Sequence, residues 1–147
     1  MSRKNILKIK SKKYFVLMIL WIILIYYFSS QNATNSAKQS LGILNIIENL
    51  LHITIDHGFL REFAHFTLYS VLGIFAYKSL EGKLLFLLLF GIAISISDEL
   101  FQSLIDGRSC SLFDVFIDSS GYVLMILVSK KTSRLHYLYK QINNKNI

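Results

Sequence analysis

The residues able to do chemistry crowd into one stretch, Ser95 to Gly121, which reads SISDELFQSLIDGRSCSLFDVFIDSSG. It holds Asp98, Glu99, Asp106, Asp114 and Asp118, with Gln102 and Arg108 among them. A second group lies upstream: Arg61, Glu62, His65 and Tyr69. Arg61, His65 and Tyr69 recur at four-residue intervals, as do Asp98 and Gln102, and Asp114 and Asp118, so each set lines one face of a helix. Such groups support several chemistries. Arg61 and Arg108 can grip a carboxylate or phosphate by paired hydrogen bonds; the structural alternative is that they neutralise Asp98, Asp114 or Asp118. His65 beside Asp98 has the makings of a general base; the plainer reading is a histidine hydrogen-bonded across a helix bundle to Asp98 or Glu99. Glu62 and His65, three apart, could join the aspartates in holding a hard divalent cation, although one E-x-x-H pair is a weak signal.

These residues stand between runs that belong in hydrocarbon. The chain has 147 residues, 53% of them hydrophobic, with no proline and one cysteine, Cys110. One cysteine excludes an intrachain disulfide. Apolar residues cluster in four segments, about 14–30, 59–77, 84–104 and 113–128, near the roughly 20 residues that cross a bilayer. The first follows a basic stretch, and its bulky residues without an A-x-A site read as a retained span rather than a cleaved signal peptide. Trp21, Tyr26 and Tyr27 read as interface anchors, and Gly73 and Gly91 as close-packing sites between helices. Between spans one and two, Lys38, Gly42, Asn45, Asn49, His52 and Asp56 fall at alternating intervals of three and four, which predicts an amphipathic helix over 36–55 lying in the interface plane. The expected fold is therefore all-α: a four-helix transmembrane bundle with one interfacial helix. Residues 1–13 form a basic N-terminus, 14–128 the membrane domain and 129–147 a basic tail.

Charge fixes the expected orientation. With both termini in the cytoplasm, thirteen of the sixteen Lys and Arg lie inside; Lys38, Arg61 and Arg108 are the exceptions. Eight of the nine acidic residues then fall on the outer half. At about 1.5 Å per residue, His65, Asp98 and Asp118 all sit roughly 7–9 Å below the outer surface. Intramembrane carboxylates are costly and should face one another or a wet cavity. An outward-opening polar pocket on spans two to four follows. Transport is disfavoured, because the inner halves of the spans are dry. The basic ends call for anionic lipid, not nucleic acid.

At FSSQ, AHFTLYSVLG and SDELFQSLIDGRSCSLFDVFIDSSG the sequence resembles the VanZ-like family of small bacterial membrane proteins, over roughly residues 14 to 128. The family's characteristic polar residues map onto His65, Tyr69, Asp98, Glu99, Gln102, Gly107, Arg108, Asp114 and Asp118. Asp106 stands where the family often has proline, and Met125 where it often has a second glycine. The resemblance implies a multi-pass protein of the cell membrane, in an envelope setting such as that of Gram-positive bacteria, and a role in the response to glycopeptides, teicoplanin in particular. It implies no reaction. The reading is an accessory or binding protein whose pocket comprises Arg61, Glu62, His65, Tyr69, Asp98, Glu99, Gln102, Arg108, Asp114 and Asp118. Its partners would be membrane lipid, a cell-wall precursor, a phospholipid headgroup or the glycopeptide. The alternative is a membrane-embedded hydrolase or transferase, with or without a metal, using His65, Asp98 and Glu99. Cofactor, metal and oligomeric state are left open by the sequence.

Overall fold

A computed structural model describes residues 7–52, 54 and 56–145. Residues 1–6 of the basic N-terminus, positions 53 and 55 of the expected amphipathic helix, and 146–147 of the tail lie outside the described residues. The chain is all-helical apart from one two-residue pairing. Strand β1 (Lys8–Ile9) precedes α1 (Lys12–Ser29), α2 (Ala33–Leu51) and α3 (His57–Ser79); β2 (Leu80–Glu81), α4 (Leu84–Gln102) and α5 (Leu112–Lys145) follow.

The helix ends have local causes. Asn32 and Asp56 cap α2 and α3 by accepting hydrogen bonds from the backbone N–H of Asn35 and Phe59. Helix α2 stops at His52, whose left-handed φ of 53° turns the chain out of the helix. The hydroxyl of Ser111 accepts from the N–H of Asp114 at the start of α5.

The β1–β2 pairing is antiparallel, with Lys8 opposite Glu81 and Ile9 opposite Leu80. The N–H of Lys10 also donates to the carbonyl of Ser79. The segment before α1 is thereby tied to the α3–α4 turn, and both lie at one end of the bundle. Two residues carry no alternation, so hydropathy gives no warning of this contact.

Helices α1, α4 and α5 are long and apolar enough to cross a membrane. Helix α3 falls outside that set because Arg61, Glu62, His65 and Lys78 interrupt it. Helix α5 runs to Lys145, well past residue 128 where the apolar pattern ends. Its 34 residues span about 51 Å, against roughly 30 Å of hydrocarbon. Lys, Arg, Gln and Leu favour helix on their own, which carries the element on without an apolar face.

Helix α3 makes its most extensive contact with α5, while α1 lies on α3 and α4 on α5. Small residues bring α3 and α5 together: a Cβ at Gly73 would stand 2.6 Å from the carbonyl of Tyr122, and one at Gly121 would strike the carbonyl of Phe66. Met125, the departure from the family pattern, lies against Gly73, so α3 supplies the missing small residue. Gly91 leaves room for the Tyr122 ring, whose hydroxyl donates to the carbonyl of Leu87 at 2.8 Å. Trp21 is a bundle contact rather than an anchor: its indole N–H donates to the carbonyl of Leu68 at 2.8 Å, and its ring meets Phe75 edge-on. Tyr26 likewise bonds Ser97 of α4. Interhelical hydrogen bonds of this kind contribute about 0.6 kcal/mol each in membranes, so close packing carries most of the association.

Candidate functional site

The sequence-derived polar residues come from α3, α4, α5 and the α4–α5 loop. On α3 and α4, the fully buried Tyr69 donates its hydroxyl to Asp98 Oδ2 at 3.1 Å. Gln102, one turn along from Asp98, donates to the same oxygen at 3.2 Å. Between α3 and α5, His65 Nδ1 stands 3.3 Å from Asp118 Oδ1, an ion-pair distance without an aligned hydrogen bond. The aspartate beside His65 is thus Asp118; Asp98 is engaged by Tyr69 and Gln102. Glu99 is fully buried and points at the loop, where its Oε2 accepts from the N–H of Ser111 at 2.9 Å. Nearer the helix ends, Arg61 donates to Asp114 at 3.1 Å.

Glu62 joins none of these contacts. It makes no hydrogen bond or ion pair among the described residues, because it lies a quarter-turn away from the face shared by Arg61, His65 and Tyr69. The E-x-x-H pair therefore does not converge. Among the described residues, no group of three or more His, Cys, Asp or Glu side chains could hold a metal ion.

Arg108 is held in an unusual way for a half-buried cation. One terminal nitrogen donates to the carbonyl of Ser29 at 3.3 Å and to Gln102 Oε1 at 3.0 Å; the other donates to the hydroxyl of Ser36 at 3.1 Å. All three acceptors are neutral. Asp98, Glu99 and Asp114 act on it only through space, and burial, followed by the nearby Arg61 charge, pushes the guanidinium below its ordinary value. Arginine titrates so high that it remains a fixed cation. A guanidinium has five N–H donors, and two on Arg108 remain uncommitted among the described residues.

The loop that carries Arg108 turns tightly after α4. The N–H of Arg108 donates to the carbonyl of Ile105, and Gly107 takes a φ of +75°, a region glycine enters without strain. The carbonyl of Asp106, in the place of the family's proline, accepts from the N–H of Ala33 and fastens the loop to α2. Ser29, Ser36 and Ser111 were absent from the residues chosen by sequence. Hydroxyls carry little periodic signal; the FSSQ motif at the end of the first span was the available clue to Ser29.

Two cavities open here. One, of about 240 Å³, is lined by polar groups including Ser36, His57, Arg61, Gln102, Arg108 and Asp114. The other, of about 370 Å³, lies between α1, α2 and α3, with Ile25, Phe28, Ile43, Phe63 and Leu68 in its walls and His65 and Asp98 at its polar edge. Asp98 Oδ1, Glu99 Oε1 and both Asp118 oxygens are buried with no hydrogen bond among the described residues. Burying such atoms without a partner costs free energy.

The sequence model described as VanZ/LLP1 matches residues 14–134 of the chain. No curated protein and no solved structure matches.

Proposed function

The chain belongs to the VanZ/LLP1 family, and from that premise we propose that it is an accessory protein of the bacterial cell envelope that binds an anionic group through Arg108 and Arg61. The observation that carries this reading is the set of partners around Arg108. A half-buried cation bonded only to neutral oxygens has charge and donors to spare for a phosphate or carboxylate. Arg61 already has Asp114 as its partner, and serves as the second, weaker contact.

The site faces the outer leaflet in this reading. The basic segment before α1 is tied to the Lys78–Lys83 turn, and that end is cytoplasmic by the distribution of Lys and Arg. Both termini are then inside. Helix α3 crosses as the fourth span: its 23 residues reach about 35 Å, and its charged face is turned onto α5. Helix α2 lies in the outer interface with Leu41, Ile43, Ile46 and Leu50 toward lipid, all exposed in the isolated chain. At that level phospholipid headgroups, cell-wall precursors and glycopeptides all present anions. A change in teicoplanin susceptibility is the expected cellular consequence.

The direct test is calorimetric titration of glycerol 3-phosphate into the purified, detergent-solubilised chain. Saturable binding that is lost in Arg108→Ala supports the reading, and an unmodified chain that binds no anion refutes it. Expression in a susceptible Gram-positive host then tests the cellular role: an unchanged teicoplanin sensitivity removes the resistance role.

A second reading, a membrane-embedded enzyme, rests on the His65–Asp118 pair, because a carboxylate on Nδ1 leaves the other ring nitrogen for the cavity as a base. Turnover of a headgroup ester by the purified chain, abolished in His65→Ala, would establish it; a product-free incubation would dismiss it.

A further inference from the structure

The polar and apolar cavities share three residues, Ser36, Arg61 and Arg108. The arginines thus stand at the junction of two spaces of opposite character. The polar side offers hydroxyls, an amide, an imidazole and the uncommitted guanidinium donors, beside the Asp114 carboxylate that pairs with Arg61. The apolar side is walled by aliphatic and aromatic groups from three helices, and several of them, Phe28, Ile43 and Phe63, are more than 40% exposed without a membrane. A free anion would need only the first space. A neutral lipid tail would need only the second. A molecule with an anionic head on one chain uses both, with its charge where the chain's own fixed cations stand.

We propose that the ligand of this site is a phosphate-headed lipid, bound with its phosphate on Arg108 and Arg61 and one hydrocarbon chain between α1, α2 and α3. The proposal rests on the anion-binding reading above and adds the lipid class and the place of the chain. The volumes fit this division: about 370 Å³ lies within the range of pockets that take small ligands, and about 240 Å³ suits a headgroup. Ile43 and Ala64 line only the apolar side, and both are exposed, so a larger side chain there fills the chamber without disturbing the bundle.

The test compares oleoyl lysophosphatidic acid, its hexanoyl analogue and glycerol 3-phosphate on the full chain, by native mass spectrometry and calorimetry in one detergent. The oleoyl lipid is expected to bind about tenfold or more tightly than glycerol 3-phosphate, with the hexanoyl analogue between them, since each methylene removed from water adds affinity and the micelle offsets only part of it. Ile43→Trp and Ala64→Trp are each expected to abolish that chain advantage while leaving glycerol 3-phosphate binding intact, and Arg108→Ala to abolish both. If all three probes bind equally and Arg108→Ala still abolishes them, the lipid proposal falls and the anion site stands. If the Trp variants keep the full chain advantage, the chain lies elsewhere and the proposal also falls. If no probe binds the unmodified chain, the anion site falls and the lipid proposal falls with it.

Discussion

In the orientation proposed above, the inner and outer halves of the same three helices are built on opposite rules. In the inner half of α3, α4 and α5, Gly73 and Gly91 admit neighbouring atoms at contact distance, Leu72, Ala76 and Ile126 are sealed, and the buried hydroxyls of Tyr122 and Ser79 have acceptors. In the outer half, Asp98, Glu99 and Asp118 are equally buried, yet four of their oxygens make no hydrogen bond among the described residues. Membrane helices gain their association from close contact, and a buried polar atom without a partner subtracts from it. The inner half therefore holds the bundle together, and the outer half carries buried polar atoms at a cost to that stability.

This contrast breaks first at the glycines. Gly73→Leu forces a side chain against the Tyr122 carbonyl and Met125; overpacking of this kind costs about 1–3 kcal/mol or more. The variant is expected to melt well below the unmodified chain in a detergent thermal-shift assay, or to yield no folded protein. A bundle as stable as before would mean the α3–α5 contact does not carry the fold. Next in size is Arg108→Ala. Its three bonds are to neutral acceptors, so folding should change little, whereas losing charge-assisted bonds to an anion costs about 1.5–3 kcal/mol, roughly tenfold to a hundredfold in Kd. Calorimetry with glycerol 3-phosphate reads the second effect and a melting curve the first; a large drop in melting temperature with affinity retained would make Arg108 structural.

Smaller effects sharpen the comparison. Tyr122→Phe removes one interhelical hydrogen bond in the inner half and should lower stability by about 0.6 kcal/mol. Glu99→Gln in the outer half keeps an oxygen for the Ser111 N–H and replaces a buried carboxyl oxygen that has no partner among the described residues, so stability should change by no more than about 1 kcal/mol. Unfolding in a graded denaturing detergent measures both. A loss for Glu99→Gln above about 1 kcal/mol, and larger than that for Tyr122→Phe, would reverse the assignment of the two halves.

Hydropathy located both ends of α1, α3 and α4 and the start of α5 within a few residues, because apolar length is what a bilayer demands. The four-residue spacing of polar side chains picked out Tyr69, Asp98, Gln102 and Asp118, and missed Ser95, whose hydroxyl on α4 donates to the carbonyl of Val115 on α5. It failed where facing depends on rotation by a single residue: Glu62 neighbours the right face without sharing it. It also assigned His65 to Asp98, since depth along three helices cannot say which of two aspartates at one level is adjacent. Ser29, Ser36 and Ser111, the β1–β2 tie and the reach of α5 to Lys145 carry no apolar period, and only the folded chain reveals them. Trp21 was read as an anchor from its type alone, whereas a helix carbonyl of α3 holds it inside the bundle.

In the proposed orientation the loop bearing Arg108 and the cavity beneath it open to the outside of the cell. Cys110, the sole cysteine, is exposed on that loop two residues from Arg108, so a membrane-impermeant maleimide applied to intact cells reads its side of the membrane directly. The account predicts full labelling of Cys110 on intact cells and none in Cys110→Ser; labelling that occurs only after the membrane is opened would contradict it.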